Sequence, residues 1–570
     1  MTTTDLFADL EQSTPQEQTL HFLSGESPEE RATRRVKTII HAGHVLALAF
    51  SSGKDSSALA SIVLNACRDV IESNKPCPPI IILHSDTGME SPVVWKLARG
   101  ELKKIKAYAD QHGIDLTVRI TKPSLNASFP VRVIGGRGLP PFPDNRSACS
   151  VDWKVLPNQK ALKQIMQRYD NDTTWKKPVV MTGVRNQESI ARDIKIAKRG
   201  EVAESIWENE FGLLRSSPIL DFDESDVWEY IAYCNSGVIP AYSDFEAVMQ
   251  IYRDGGGDKC VIVADMKSAG NSKPCGTRTG CWSCTKVSDD KSMMQMIASD
   301  PGTYGKYKPL AELRNFISNT QYDWSLRQFV GRSIDSDGNI EIGADTYSPQ
   351  MLQALLRYTL SAQAVTGVQI ISIEQLIAID ARWSMYALCP PFKALQIYLE
   401  VEAGKITLAP DVKRFPKTDV PKLGKIHVGA STFNESMAGN VSGLRNVMAE
   451  MFSESCGPEL RRLKDGSLVM DIEAEGEFEV DREGASLFLE FEAQRMIDQY
   501  ARDDCLDWTW GYKTYLQYGT LRIAPGRSSQ THEILQRSQW RQMNGLHGKQ
   551  DIASLEARCI ELYSKQFQLI

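Results

Sequence analysis

Six apolar residues in a row, Val45–Phe50, run straight into the polar string Ser51-Ser52-Gly53-Lys54-Asp55-Ser56-Ser57, and a helical pattern follows over Ser56–Val70. Few folds accommodate that order. A short unbroken apolar run bounded by turn residues reads as a strand covered on both faces, and such strands belong to parallel sheets clad by helices. The pattern recurs: Ile80–His84, Leu116–Ile120 and Val179–Thr182 read as further strands, with helical stretches at Val93–His112 and Leu156–Tyr169 between them. Strands separated by helix-length segments mean βαβ units. The fold class expected is α/β, a doubly wound parallel sheet over residues 36–250. A Thr/Gln/Glu-rich extension at 1–35 precedes it and ends in a helix carrying Arg31, Arg34, Arg35 and Lys37.

Beyond residue 250 the texture changes. Residues 251–295 are rich in Gly, Cys and Lys, and 296–403 read as helical, most clearly at Met351–Leu360 and Ile373–Ile379. Residues 404–428 hold three prolines and six Lys/Arg against two Asp, and read as an exposed basic linker. The remainder, 429–570, reads as a mixed α+β domain with a turn at Asp481–Gly484. A chain of 570 residues needs several cores of this kind. Its longest apolar stretches fall far short of the roughly 20 residues that span a bilayer, so no membrane association is expected. Met1–Pro15 is polar and acidic, without the apolar core of a secretory signal. A cytoplasmic location follows as an expectation, with the 12 cysteines as thiols, ligands or catalysts rather than disulfides. The net charge of −7 opposes wholesale wrapping of nucleic acid and leaves room for a local basic patch.

The Ser51–Ser57 string has the chemistry of an anion site. A helix start offers unpaired N–H groups and a partial positive charge, and small residues let the backbone approach a phosphate closely. Lys54 can supply a point charge, and Ser51, Ser56 and Ser57 can donate hydroxyl hydrogen bonds. Asp55 would repel a phosphate unless it bridges through Mg²⁺ or fixes the backbone. The competing reading is an ordinary capped helix start, since Ser, Asp and Gly are good caps.

This string resembles the SGGxDS loop of the ATP-pyrophosphatase superfamily, with Ser52 where glycine is usual. A serine cannot take positive φ cheaply, so the departure strains the turn. Three more segments follow in the superfamily's order: His84-Ser85-Asp86-Thr87-Gly88; Thr182-Gly183-Val184-Arg185 with Glu188, Ser189 and Arg192; and Ser217-Pro218-Ile219-Leu220-Asp221-Phe222 with Asp226-Val227-Trp228. The second of these is similar to the TGxRxxES segment of the phosphoadenylyl-sulfate reductase branch. The resemblance implies an adenine nucleotide alpha hydrolase-like (PP-loop) fold that binds ATP and releases AMP and pyrophosphate. It places ATP on Ser51–Ser57, Asp86, Gly183, Arg185 and Arg192, the arginines being suited to bidentate phosphate contact.

Cys260, Cys275, Cys281 and Cys284 form a C-x14-C-x5-C-x2-C cluster in a Gly-rich setting. Four thiolates fit Zn²⁺ or an iron–sulfur cluster. Structural zinc sites more often pair two C-x2–4-C knuckles, and only one exists here, which favours [4Fe–4S]. Cys149 sits between Arg146 and Lys154 ahead of the helix at Leu156, surroundings that lower a thiol pKa. It reads either as a sulfur-handling catalytic residue or as a structural thiol.

The loop, the reductase-branch segments, the four-cysteine stretch and a further 280 or so residues together resemble the DNA phosphorothioation sulfurtransferases of bacterial Dnd and Ssp modification–restriction systems. Pieces of the tail add to this: Ile371–Ser384, Glu479–Glu490 and Gln536–Gly548. The likeness covers about residues 36–560 and is strongest over 45–290. It implies ATP, Mg²⁺ and [4Fe–4S] as cofactors. It further implies DNA as substrate, a cysteine desulfurase as sulfur donor, other phosphorothioation-system proteins as partners, and a part in antiphage defence. Lys54, Asp55 and Cys149 are the expected catalytic residues. Residues 511–549 carry six Lys/Arg, including Arg527, Arg537 and Arg541, against Glu533, with Tyr512, Tyr515, Tyr518 and Trp540 interleaved. That composition suits DNA contact, or an aromatic core with a cationic face. Competing readings of the whole are a tRNA thiolase or adenylyl-sulfate reductase, and, in another class, a DNA-binding redox sensor.

Overall fold

The structure is a computed structural model. It describes residues 25–143, 149–169, 172–186, 200–209, 212–256, 280–287, 289–334, 339–420, 476–503 and 507–547, with a few short pieces between and beyond. The chain divides into two compact units that interleave along the sequence. The first holds Met1–Ser85, Val93–Thr121 and Asn158–Thr277, and the second holds Asp86–Pro92, Lys122–Pro157 and Arg278–Ile570.

The first unit is built on a six-stranded sheet of order β3-β2-β1-β4-β6-β5. Its strands are β1 (His44–Ala49), β2 (Ile80–Ser85), β3 (Leu116–Thr121), β4 (Lys176–Met181), β5 (Trp207–Glu208) and β6 (Leu214–Ser216). Every pairing is parallel except β5 with β6. This is the doubly wound α/β architecture expected. The central strand is covered on both faces: Val45, Leu46, Ala47 and Leu48 are each 0% exposed. Burying each Val or Leu side chain stabilises the fold by roughly 1.5–3 kcal/mol. Leu46 pairs with Ile80 on one side and with Val179 on the other. Strand order therefore reverses at β1, and the crevice where open α/β sheets take ligands lies at its carboxyl end.

Helix α1 (Pro28–His41) is started by a reciprocal capping box between Ser27 and Glu30. Its Arg35 is buried, donating to the Pro218 carbonyl at 2.8 Å and to Asp221 at 2.6 Å, with Glu204 as a further partner. Asp221 lies in one of the segments that resemble the reductase branch, and here it anchors α1. Burial works against its charge, but Arg35 and Arg31 outweigh that and hold its carboxyl below the usual range. Helix α2 (Lys54–Glu72) follows β1 and is buried along most of Ser56–Cys67. Helices α3 (Pro92–Gln111) and α4 (Leu156–Tyr169) sit where periodicity placed them.

In the second unit, residues 296–403 are not helical throughout. Arg327–Ile334 and Asn339–Tyr347 form an antiparallel pair, β7 and β8. Arg327 is 1% exposed and sits 4.7 Å from the Tyr347 ring and 5.3 Å from that of Phe142, so aromatic faces offset the burial of its charge. Helices α9 (Pro349–Thr366), α10 (Ile373–Met385) and α11 (Lys393–Glu402) follow. Asp380 of α10 is 1% exposed and accepts hydrogen bonds from Phe392 N (3.1 Å), Ala394 N (2.7 Å) and the Tyr515 hydroxyl (2.8 Å). It thus caps α11 from a neighbouring helix. The next turn of α10 reaches far along the chain: Arg382 donates to the Val131 carbonyl at 2.8 Å and the Trp383 indole to Ile134 at 2.7 Å. No helix among the described residues is long and apolar enough to cross a membrane.

The tail aromatics belong to this unit's core. Tyr512 and Tyr515 are 0% exposed and Trp540 is 5% exposed. They lie on helices, Trp510–Gln517 and Ser528–Met543. Those three rings do not face a nucleic acid.

Candidate active site

The Ser51–Ser57 loop leaves the carboxyl end of β1, at the switch point of the sheet. Ser52 takes φ +59°, the left-handed region that serine enters reluctantly. Its hydroxyl donates to the Ser51 carbonyl at 2.6 Å, and its side chain is buried. The loop closes on itself: Ser51 N donates to Ser56 Oγ at 3.2 Å, and Ser56 Oγ donates to the Gly53 carbonyl at 3.0 Å. Gly53 is the cap residue of α2 and has no side chain to cap it, and the first helical amide, Lys54 N, donates to the Tyr252 hydroxyl at 3.4 Å. A helix start of this kind, at the carboxyl end of β1, is a place where backbone amides can take an anion. A Ser52→Gly chain is expected to bind a non-hydrolysable ATP analogue as well as the parent. Ser52→Val should bind it about tenfold more weakly or worse, because a β-branched residue strains that turn. Isothermal titration calorimetry reads both.

Lys54 is 11% exposed, and its ammonium lies 3.4 Å from Glu224 and 3.6 Å from Asp55. It also sits 5.3 Å from the centre of the Tyr252 ring, whose hydroxyl is 3.4 Å from Lys54 N. Burial works to lower the Lys54 pKa, but Tyr252, Asp55 and Glu224 outweigh it and raise the value. Lys54 thus stays cationic at neutral pH. Asp55 accepts from Arg185 Nε at 2.5 Å. That pairing answers the question the sequence raised about Asp55: its carboxylate ties the loop to the segment after β4. Gly183 explains why the same segment needs glycine. A Cβ there would stand 3.0 Å from the Asp55 carbonyl carbon and oxygen and 3.1 Å from Ser56 N. Ser51–Ser57, Gly183 and Arg185 are therefore brought together at one crevice.

Sequence reasoning missed Tyr252 and Glu224. Glu224 could have been found, since it lies two residues before the quoted Asp226-Val227-Trp228, at the start of a helix, Glu224–Asn235. Tyr252 lies in helix Glu246–Gly256 with no local signal; its role comes from packing edge-on against Trp228 at 5.1 Å. Arg192, Cys260 and Cys275 lie outside the described residues.

In the second unit Asp86 is buried, accepting from Gly88 N at 3.2 Å and lying 3.6 Å from the Lys122 ammonium. The Cys281-Trp282-Ser283-Cys284 turn is closed by Cys284 N donating to the Cys281 carbonyl at 3.0 Å. The segment around Glu90 pins it: Trp282 N donates to the Met89 carbonyl at 2.9 Å and Ser91 N to Gly280 at 3.2 Å. Arg314, 1% exposed, donates to the Cys284 carbonyl at 3.0 Å. Burial pushes the Cys281 thiol up to about 11, with Lys154 opposing and Glu90 adding to the rise. Cys281 and Cys284 present two of the four thiolate donors that a [4Fe–4S] cluster takes. Among the described residues, no three His, Cys, Asp or Glu side chains form a complete metal site.

Cys149 is half-buried and leads into a wide helical turn at Val151–Val155. Trp153 of that turn donates to the Ala127 carbonyl at 2.8 Å and meets the Phe129 ring edge-on at 6.0 Å. Trp282, between the two turn cysteines, meets the same ring at 6.3 Å. Trp153 of the Cys149 element and Trp282 of the Cys281–Cys284 turn therefore pack on the same phenylalanine. Of the tail residues expected to touch DNA, Arg541 is 6% exposed, Arg537 lies 3.4 Å from Glu533, and Arg527 donates to Gln530 at 2.8 Å.

Residues 45–287 match the phosphoadenosine phosphosulfate reductase domain. The matched stretch takes in the loop, the Gly183 segment, Cys149 and the Cys281–Cys284 turn. Among solved structures, the chain is similar to phosphoadenylyl-sulfate (PAPS) reductase from Candida auris, at 15% identity over 40% of this chain and 90% of that one, with a TM-score of 0.23. It is also similar to the U34-tRNA thiolase NcsA from Methanococcus maripaludis with its [4Fe-4S] cluster (12% identity, 37% and 65% coverage, TM-score 0.23). A third is FMN adenylyltransferase from Candida glabrata (13% identity, 40% and 64% coverage, TM-score 0.23). The chain thus spans just under two thirds of the thiolase and of the adenylyltransferase. No curated protein matches its sequence.

Proposed function

We propose that this chain is an ATP-dependent sulfurtransferase that activates a DNA backbone phosphate, as in phosphorothioate modification systems. The observation that carries the nucleotide half of this reading is the glycine-led start of α2, framed by the left-handed Ser52 turn and the largely buried cation of Lys54. Such a cradle suits the pyrophosphate end of ATP. A non-bridging phosphodiester oxygen attacks the α-phosphorus of ATP, the bond to the β-phosphate oxygen breaks, and pyrophosphate leaves. The loop amides and Lys54 stabilise the charge that develops on it. A nucleophilic sulfur then attacks the activated DNA phosphorus, and AMP departs with the oxygen.

Asp55 and Arg185 fix the loop through their ion pair, and Asp55 would have to share or exchange that pairing to take Mg²⁺. Bound Mg²⁺ would neutralise phosphate charge. Cys281 and Cys284, with Cys260 and Cys275, would hold a [4Fe–4S] cluster, which would supply electron or sulfur chemistry. Cys149 is the thiol proposed to handle sulfur. A cysteine desulfurase and the other proteins of a phosphorothioation system are the partners this reading requires. Support for DNA as substrate comes from the sequence resemblance of the tail.

The test combines two measurements on anaerobically purified protein. Iron and acid-labile sulfide are quantified, and nucleotide products are separated after incubation with ATP, Mg²⁺ and DNA. AMP and pyrophosphate, formed faster with DNA present, are expected. ADP as the product would overturn the reading, and stimulation by tRNA in place of DNA would move it to the thiolase alternative.

A further inference from the structure

The first amide of α2 has a side-chain acceptor in place. Lys54 N donates to the Tyr252 hydroxyl at 3.4 Å, longer than most hydrogen bonds of this kind, and the same oxygen would stand 3.5 Å from a Cβ placed on Gly53. A tyrosine hydroxyl therefore lies against the turn where backbone amides can take an anion. The face of its ring lies beside the Lys54 ammonium, which is 5.3 Å from the ring centre. One side chain thus touches both groups that the nucleotide reading assigns to the pyrophosphate end: the amide through its oxygen, and the cation through its ring.

The helix that carries Tyr252, Glu246–Gly256, is fixed at its start. Phe245 is fully buried and takes φ +57°, and its N–H donates to Ser243 Oγ at 3.0 Å. Ser243 in turn donates to the buried Glu101 at 3.2 Å. A non-glycine residue in the left-handed region persists only where its surroundings over-determine it. With the helix start locked in this way, the half-buried Tyr252 side chain is the part that yields when another group approaches the loop. Its hydroxyl meets Lys54 N as one neutral group meets another. A phosphate oxygen carries charge and bonds an amide roughly twice as strongly, so it displaces the hydroxyl. Once the bond to the β-phosphate oxygen has broken, the hydroxyl competes with the departing pyrophosphate for the same amide and hastens its release.

We propose that the Tyr252 hydroxyl competes with the pyrophosphate end of the nucleotide for Lys54 N, while the Tyr252 ring positions the Lys54 ammonium. This deepens the nucleotide reading given above and rests on it. Isothermal titration calorimetry on the full chain, with inorganic pyrophosphate, a non-hydrolysable ATP analogue and AMP, tests it. Removing the hydroxyl alone, in Y252F, should tighten binding of pyrophosphate and of the analogue about three- to tenfold, the reach of one neutral hydrogen bond. AMP lacks that end and should bind as it does to the parent. Y252L removes the ring as well, and should bind pyrophosphate about threefold more weakly than Y252F. A tyrosine with a merely structural role would lose affinity for all three ligands or for none. If the parent binds pyrophosphate and Y252F binds it no more tightly, or if AMP gains equally, the competition is absent and this inference falls while the nucleotide reading stands. Equal binding by Y252L and Y252F would remove the ring from the positioning of Lys54. If parent and Y252F bind neither pyrophosphate nor the ATP analogue, the nucleotide reading falls and this inference with it.

Discussion

A Lys54→Met protein should release pyrophosphate from ATP about 10²–10³-fold more slowly than the parent chain, the usual cost of removing one positioned donor from a developing anion. The structure says why so much rests on this residue. Its ammonium is nearly buried and is kept protonated by Glu224, Asp55 and Tyr252 together, so it is a fixed charge rather than a mobile surface lysine. Methionine matches its length and removes the cation beside Glu224, while Asp55 keeps Arg185. Quenched-flow detection of pyrophosphate, with folding checked by circular dichroism, reads the effect. A rate within a factor of about three of the parent would remove Lys54 from the chemistry.

The second large effect concerns Asp380. Replacing it with alanine should destabilise the second unit by about 3–5 kcal/mol, because two backbone N–H groups and the Tyr515 hydroxyl lose a buried acceptor at once. The same residue gives a pH signature. Burial pushes its carboxyl up to about 6, against an ordinary value of about 3.9. The folded state therefore binds a proton more tightly than the unfolded state. This contribution to stability is fully present below about pH 4 and is lost as pH rises through about 6. Relative to an Asp380→Asn chain, which cannot titrate there, the parent should lose up to about 3 kcal/mol between pH 4 and pH 7. Urea unfolding of both proteins across that range measures the difference. A constant gap between them would mean the carboxyl does not titrate in that window.

Much of the first unit is legible in the sequence because its signals are local. An unbroken apolar run marks a strand covered on both faces, and Gly53 and Ser51–Ser57 mark where the chain must turn tightly. Even the strain was foreseeable: serine stands where positive φ is needed, and the structure shows Ser52 taking it. Strands β7 and β8 were not legible. Arg327–Ile334 carries two arginines, a glutamine and a glycine among its apolar residues, so it lacks both a continuous run and a clean alternation. Its buried Arg327 packs against the rings of Phe142 and Tyr347, neighbours that no local pattern announces. The partnership of Arg185 with Asp55 was also hidden, because a sequence shows two charged residues and not their distance. The structure adds to the phosphate-contact reading of Arg185 an ion pair through Nε that orients the loop. Asp380 gave no warning either, since a lone acid inside an apolar helix pattern looks like any exposed position on the polar face.

The second unit is assembled from three stretches of chain, and Arg382 holds Val131 across 251 positions. A growing polypeptide emerging from the ribosome therefore makes residues 122–157 long before it makes the helix that receives them. Until then Val131, Val133 and Ile134, which are buried in the finished protein, have nowhere to go. Biosynthesis should consequently lean on chaperones during that interval, and trimming the gene after residue 290 or so should yield an insoluble product instead of a smaller working enzyme.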